Sequence, residues 1–113
     1  MRVRSLLARH PHLATTPDGR GDQPIHHASR NGDTEIVRLL FEHGADVNAK
    51  NPRGHTVLYC AGGHGHLDCV LLLLKEGADS ETQKSLLEFL AEYPDDTRYI
   101  PITEVLRRHA SEA

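Results

Sequence analysis

The chain has 113 residues, of which 38% are apolar, with two phenylalanines, three tyrosines and no tryptophan. This length accommodates one domain, and the composition suits thin layers of small aliphatic side chains rather than one deep core. The formal net charge of −3 argues against nucleic acid or an anionic membrane as the main partner. Two cysteines are too few for a disulfide framework, which predicts a reducing compartment and therefore a cytoplasmic location.

Segments that lie 33 residues apart carry the same residues. Gly44-Ala45-Asp46 returns as Gly77-Ala78-Asp79, and Gly32 returns as Gly65. A constant period of this length indicates that one small unit is stacked on itself. The two most regular units run over residues 18–50 and 51–83.

Residues 1–17 precede the first full unit, and their basic, amphipathic start is similar to a mitochondrial transit peptide. In the 33-residue register, however, Val3 corresponds to Ile36 and Leu6 to Leu39. The segment therefore also fits the second half of a unit. We favour this second interpretation, in which the segment caps the array.

The unit 18–50 predicts a turn, a short helix, a loop and a second helix. Its glycine-rich turn is followed by Pro24, which suits a first helical turn, and residues 31–33 (Asn-Gly-Asp) end that helix. The second helix is predicted over 34–43, with Gly44 as its stop. Its apolar stripe consists of Ile36, Val37, Leu39, Leu40 and Phe41.

The unit 51–83 repeats the pattern, with helices predicted over 56–61 and 67–75. After it the pattern changes, because residues 84–87 (Lys-Ser-Leu-Leu) lack the hairpin glycine. Residues 80–83 (Ser-Glu-Thr-Gln) predict a capping box that starts a helix early. Pro94 is predicted to end that helix. Terminal units of solenoids are altered in this way because one of their faces meets water.

These units resemble the ankyrin repeat. Residues 24–28 (Pro-Ile-His-His-Ala) and 56–61 (Thr-Val-Leu-Tyr-Cys-Ala) are degenerate forms of the family's Thr-Pro-Leu-His-x-Ala signature, and residues 44–49 and 65–68 match its hairpin and loop signatures. The resemblance implies an all-α solenoid of helix-turn-helix units with short β-hairpin-like loops. It implies one domain over 1–113, in which a half repeat (1–17) and repeats 18–50 and 51–83 are followed by a divergent capping repeat (84–113).

The resemblance also implies where a partner docks. Ankyrin proteins usually bind on the concave side, which the hairpin tips and the outer face of the first helices form. Carried over by position, the candidate partner-binding residues are Arg20, Asp22, Arg30, Asn31, Arg53, His55 and His64. The alternative is that each of them is an ordinary solvated side chain.

A metal site and a catalytic site are the alternatives to a partner-binding surface. The segment 64–69, with Cys60 nearby, holds histidines and a cysteine, but their spacing matches no zinc finger or ribbon. His26 stands at the family's signature histidine, where the resemblance implies a structural hydrogen bond between loops, and nothing at recognisable spacing would make it catalytic. We expect no metal, no cofactor and no catalytic residue.

Two features depart from the repeat pattern. Leu71 replaces Arg38 at a solvent-facing position, so it either packs on the closing unit or forms a second contact surface. Charge is also polarised, because residues 1–30 carry five arginines against two aspartates (net +3), whereas residues 75–96 carry two lysines against seven acids (net −5).

The sequence as a whole predicts a monomeric, non-catalytic module that binds a protein partner, as an adaptor, an inhibitor or an accessory subunit. Nucleic acid, membrane and small-molecule partners are not expected. The main alternative is a structural fragment of a longer array whose partners are its own neighbouring repeats. A metal-binding or enzymatic protein is the third and least favoured hypothesis.

Overall fold

The computed structural model describes residues 9–112, so residues 1–8 of the predicted half repeat (1–17) lie outside the described part. A 3₁₀ helix at Pro11–Ala14 comes first. Six α-helices follow: α1 (Pro24–Asn31), α2 (Thr34–Glu42), α3 (Val57–Gly63), α4 (Leu67–Lys75), α5 (Ser80–Leu90) and α6 (Ile100–Glu112). Within residues 9–112 the regular structure is helical apart from one isolated bridge between Lys50 and Thr56, which confirms the all-α class.

The six helices form two layers. α1, α3 and α5 lie side by side in the first layer, and α2, α4 and α6 lie behind them, each packed on its predecessor in the chain. Successive pairs stack along one direction, so the molecule is elongated, with extents of 43 × 26 × 24 Å. The order of units in the sequence is therefore their order in space.

Local chemistry sets the helix ends. Asp33 begins α2 by accepting a hydrogen bond from the Ile36 amide, and Thr56 begins α3 by accepting one from Tyr59. Gly32, at φ 73°, ends α1 in the left-handed conformation that glycine adopts at little cost. The predicted span of α4 is reproduced, and that of α2 differs by one residue.

The start of α5 differs from the prediction by one residue. Asp79, rather than Ser80, is the N-cap, and its carboxylate accepts from the Thr82 amide at 2.8 Å. The helix also ends at Leu90, before Pro94 is reached. At 11 residues α5 is longer than α1 or α3, because its first turn takes the place of a hairpin.

The core is a thin layer of aliphatic side chains packed between the two layers of helices. Of the stripe predicted on α2, Val37, Leu39 and Leu40 are buried, and the other two residues are half-buried. Gly62 lets α3 approach α5 closely, because a Cβ at this position would lie 2.3 Å from Leu86 Cδ2. These contacts place the exposed faces of α3 and α5 side by side.

Leu71 lies on the outer layer and keeps 45% of its surface exposed. It lines a groove between α4 and α6 with Leu74 and Val105. The residue is thus partly covered by the closing unit and partly open to solvent.

Candidate protein-binding surface

A buried carboxylate joins the first two repeats. Asp22 is only 3% exposed, and its Oδ1 accepts a hydrogen bond of 2.9 Å from Asn51 Nδ2. The amide oxygen of Asn51 accepts in turn from the backbone N–H groups of Arg53 and His55. One side-chain pair therefore shapes the hairpin tip of the second repeat.

The same carboxylate holds two guanidinium groups. Arg30 Nη2 lies 3.7 Å from Asp22 Oδ1, and Arg53 Nη2 lies 3.7 Å from Oδ2. The hydrogen bond from Asn51, followed by the charges of both arginines, keeps the pKa of Asp22 below its usual value, although burial opposes this. Because Asp22 is buried, it positions Arg30 and Arg53 and does not itself face a partner.

The two arginines differ in exposure. The Arg53 side chain is 60% exposed, whereas that of Arg30 is 25% exposed and its Nη2 reaches Cys60 Sγ at 3.8 Å. Arg53 therefore offers the larger contact area. Arg20 is exposed at the preceding turn, where its backbone N–H donates to Asp18 Oδ1.

Two of the remaining candidate residues end helices of the first layer. Asn31 is exposed at the end of α1, and His64 is exposed just after α3, where its Nδ1 donates to the Cys60 carbonyl at 2.9 Å. Both lie at the opposite end of these helices from the hairpin. The predicted residues thus line the first layer along its length and do not converge on one point.

The last candidate, His55, is half-buried and stacks on Tyr59, with ring centroids 4.6 Å apart. The ring centroid of Tyr59 also lies 5.4 Å from that of Phe89 on α5. The Phe89 centroid in turn lies 5.3 Å from that of Tyr93 and 5.9 Å from that of Tyr99. We call these five residues the aromatic strip. It runs from the hairpin, across α3 and α5, to the loop before α6.

Sequence reasoning did not find the aromatic strip. In the sequence, Phe89 belongs to an apolar set with Leu86, Leu87 and Leu90, and Tyr59 stands where the first unit has His26. The available signals were the short spacing between Phe89, near the end of α5, and Tyr93, just after it, and the fact that all three tyrosines lie in residues 59–99. The hydroxyl of Tyr99 donates to the Gly63 carbonyl at 2.7 Å, which fixes the strip to α3.

His26 serves the structural role that was predicted for it. Its Nδ1 accepts from the Gln23 N–H at 3.1 Å, so Nε2 carries the proton and donates to the Ala49 carbonyl at 3.1 Å. Burial lowers the pKa of His26, which keeps the ring neutral. The ring thus connects the first helix of one repeat to the hairpin that leads into the next.

The groups considered for a metal are engaged with other parts of the protein. Burial raises the pKa of Cys69 to about 11 and also raises that of Cys60, which disfavours the thiolate that zinc requires. His66 Nε2 donates to the Arg30 carbonyl at 2.8 Å. Among the described residues, ligand atoms of Asp18, Asp22 and His27 also come together, but His27 Nε2 already pairs with Asp18 Oδ2 at 2.7 Å.

Comparison with known proteins extends these observations. The family model for ankyrin repeats in three copies matches residues 2–84. A probable E3 ubiquitin-protein ligase of Oryza sativa subsp. japonica is 45% identical over 56 residues, which are 48% of this chain and 11% of the ligase. A transient receptor potential cation channel, subfamily V member 5, of Oryctolagus cuniculus is 39% identical over 67 residues, which are 49% of this chain and 9% of the channel.

The chain thus spans about a tenth of the length of these relatives, and their activities belong to proteins much larger than the matched segment. Within residues 9–112 the structure has no helix that is long and apolar enough to cross a membrane. The 33-residue period of the sequence, the pairs of helices and the glycines at the helix ends are all consistent with this family model. The chain therefore belongs to the ankyrin-repeat family, whose repeats are protein–protein interaction modules.

Proposed function

We propose that this chain is a non-catalytic module that binds a protein partner through the first-layer face of α1, α3 and α5 and the adjoining hairpin. The chain would be a monomer in the cytoplasm. There it would act as an adaptor, an inhibitor or an accessory subunit of its partner. The proposed contact residues are Arg20, Arg30, Asn31, Arg53, His55 and His64, with Asp22 as the residue that positions two of the arginines.

The observation that carries this proposal is the network around Asp22. The Asn51–Asp22 hydrogen bond shapes the hairpin, and the carboxylate lies 3.7 Å from Arg53 Nη2 while most of the Arg53 side chain stays exposed. A surface that is ordered before the partner arrives loses less conformational entropy on binding. Arginine and aromatic side chains are also the residues that most often dominate the energy of protein interfaces.

A specific observation favours the second candidate, a fragment of a longer array. Tyr93 and Ile100, which are 45% and 41% exposed, line one groove at the last helix pair. A further repeat stacked on α5 and α6 would cover them. In that case the partner of this face is a neighbouring repeat.

Site-specific crosslinking tests the proposal. A photoreactive benzoylphenylalanine at Arg53 is expected to capture a protein in the source cells that the same probe at Glu42, exposed on α2, does not capture. The captured protein, once purified, should bind the chain directly. The double variant Arg53→Ala with His55→Ala should weaken that binding by about tenfold or more, whereas Glu35→Ala with Glu42→Ala should not.

Equal capture at both positions, or unchanged binding by the first double variant, would contradict the proposal. The array alternative is tested separately, by sedimentation equilibrium and thermal unfolding of the chain. A monomer that unfolds in one cooperative transition supports an independent module. Self-association that is lost when Tyr93→Ser and Ile100→Ser are combined supports the array.

A further inference from the structure

We propose that the groove between α4 and α6 binds an acidic helical segment of a protein partner, with an apolar side chain of that segment seated on Leu71. This groove, here called the outer groove, lies on the outer layer and not on the first-layer face. The inference therefore goes beyond the proposed function and does not depend on it. The outer groove is lined by Leu71, Leu74, Lys75, Val105, Arg108 and His109.

The chain contains an equivalent groove one repeat earlier, between α2 and α4. We call it the upstream groove. Each of its lining residues lies 33 positions before a lining residue of the outer groove, so the same surface occurs twice and the upstream groove serves as an internal reference. The upstream groove is lined by Arg38, Phe41, Glu42, Leu72, Lys75 and Glu76.

The two grooves differ in charge. In the upstream groove, Glu42 and Glu76 balance the two lining cations. In the outer groove, Lys75 and His109 occupy the positions of these two acids, and none of the lining residues that the structure describes is acidic. Lys75 and Arg108 thus give two positive charges against no negative one, which attracts a segment that carries carboxylates.

The two grooves also differ in their apolar surface. Leu71 takes the position of Arg38 and is 45% exposed, with Leu74 and Val105 beside it. An exposed leucine among apolar neighbours gains stability when a second apolar side chain covers it. The groove has a volume of about 320 Å³, which is near the lower limit of about 300 Å³ for ligand pockets and suits one or two side chains.

The spacing of the lining residues favours a helical partner. Leu71 and Lys75 are four residues apart on α4, and Val105 and His109 are four residues apart on α6, so the apolar and cationic parts lie about 6 Å apart along the helices. A partner helix with leucine at one position and glutamate four residues later presents both side chains on one face. Amphipathic helices bind grooves in this way.

Other occupants fit this groove less well. Residues 1–8 carry two arginines and no acid, so the cationic part would repel them. The upstream groove is open although α5 and α6 follow it, so stacking of a further repeat does not cover a groove of this kind. Glu42 and Glu76 are exposed on the same layer and would be repelled by an anionic membrane.

The test is a titration of the full ¹⁵N-labelled chain with the peptide acetyl-Ala-Gln-Leu-Ala-Gln-Leu-Glu-Ala-Gln-Glu-Ala-amide, held helical by a staple on its opposite face. Changes in amide chemical shift are expected to concentrate at residues 71–75 and 105–109. Peptides with lysine in place of glutamate, or serine in place of leucine, should bind about fivefold more weakly or worse.

Single variants separate the apolar contribution from the charge. Leu71→Arg should weaken peptide binding by about tenfold and leave the chain folded, because Arg38 already stands at the equivalent exposed position. Arg38→Leu is the matched control and should change binding by less than about twofold. Arg108→Glu should weaken binding of the glutamate peptide and strengthen that of the lysine peptide, a rescue that structural damage does not produce.

A transplant provides a gain of binding. The triple variant Arg38→Leu, Glu42→Lys and Glu76→His gives the upstream groove the apolar and charged residues of the outer groove. We expect a second set of shift changes at residues 38–42 and a second bound peptide per chain.

Absence of shift changes, equal binding of the glutamate and lysine peptides to the natural chain, or unchanged binding by Leu71→Arg would overturn the inference. It would also be overturned if Leu71→Arg abolished self-association in sedimentation equilibrium, which indicates a second copy, or binding to phosphatidylserine vesicles, which indicates a membrane. None of these results alters the crosslinking outcome at Arg53, so failure of this inference is distinguishable from failure of the proposed function.

Discussion

Asn51 donates a hydrogen bond to the carboxylate of Asp22 across the boundary between two repeats, at 2.9 Å. Both side chains are buried, and the pair is linked to the exposed Arg53 by an ion pair of 3.7 Å. The stability of the stack and the position of a proposed contact residue therefore depend on the same two side chains.

The first prediction concerns the charge of Asp22. The variant Asp22→Asn keeps an oxygen acceptor for Asn51 but loses attraction to Arg30 and Arg53, so the free energy of unfolding should fall by about 1–2 kcal/mol at pH 7. Urea unfolding followed by circular dichroism measures this. Glu35→Gln, which removes one exposed carboxylate from α2, should change the value by less than about 0.5 kcal/mol.

The variant Asp22→Asn should also change how the free energy of unfolding depends on pH. The pKa of Asp22 is lower in the folded chain than its ordinary value of 3.8. Its contribution is therefore present above pH 3.8 and is lost as the pH falls through the lower folded-state pKa. Below pH 4 the free energy of unfolding of the natural chain should decline more steeply than that of Asp22→Asn, and parallel curves would contradict the assignment.

A second prediction concerns Gly62. A methyl group here would lie 2.3 Å from Leu86 Cδ2, and Leu86 is fully buried. Gly62→Ala should therefore destabilise the chain by about 1–3 kcal/mol despite the higher helix propensity of alanine. Gly63→Ala is the control, because its methyl group would meet Phe89 at an ordinary 3.7 Å. Thermal unfolding of both variants tests this, and equal melting temperatures would contradict it.

The third prediction concerns His26. His26→Leu removes one acceptor and one donor in the core, so the free energy of unfolding should fall by about 2–4 kcal/mol. In His26→Gln the side-chain amide can still donate to the Ala49 carbonyl, so the free energy of unfolding should fall by less than in His26→Leu. Exchange of the Gln23 amide proton, which donates to His26 Nδ1, should accelerate in both variants.

His26 should also contribute to the pH dependence of stability. Burial lowers its pKa from 6.5 in the folded chain, so the unfolded chain binds the proton more readily. Its contribution is fully present above pH 6.5 and declines as the pH falls below that value. The decline should disappear in His26→Leu, and its persistence with the same slope would show that another group is responsible.

A fourth prediction concerns an unpaired hydroxyl. Ser29 is fully buried, and its Oγ has no hydrogen-bond partner among the residues that the structure describes. Ser29→Ala should raise the free energy of unfolding by about 1 kcal/mol, since it removes this group and improves helix propensity. Ser85 lies on the exposed face of α5, so Ser85→Ala should raise the free energy of unfolding only through the higher helix propensity of alanine. The difference between the two variants in urea unfolding isolates the buried hydroxyl, and a zero difference would contradict the prediction.

The sequence by itself determined the repeated helix pair and the family, because these depend on local chemistry and on a constant period. The structural role of His26 followed from the resemblance to the family, and its bond to the Ala49 carbonyl agrees with it. Asp33 and Gly44 mark the ends of α2 within a few residues of their own positions, and the 33-residue spacing places each unit relative to the next. The span of α4 follows from the same local signals.

Only the tertiary structure decided which candidate residues face solvent and what lies between them. Arg20 and Asp22 occupy the same turn, yet Asp22 is buried because Asn51, 29 residues later in the chain, reaches its carboxylate. The aromatic strip likewise forms because the close approach at Gly62 brings Phe89 of α5 against Tyr59 of α3. Packing between repeats unites residues that no local pattern connects, and so it decides the binding surface.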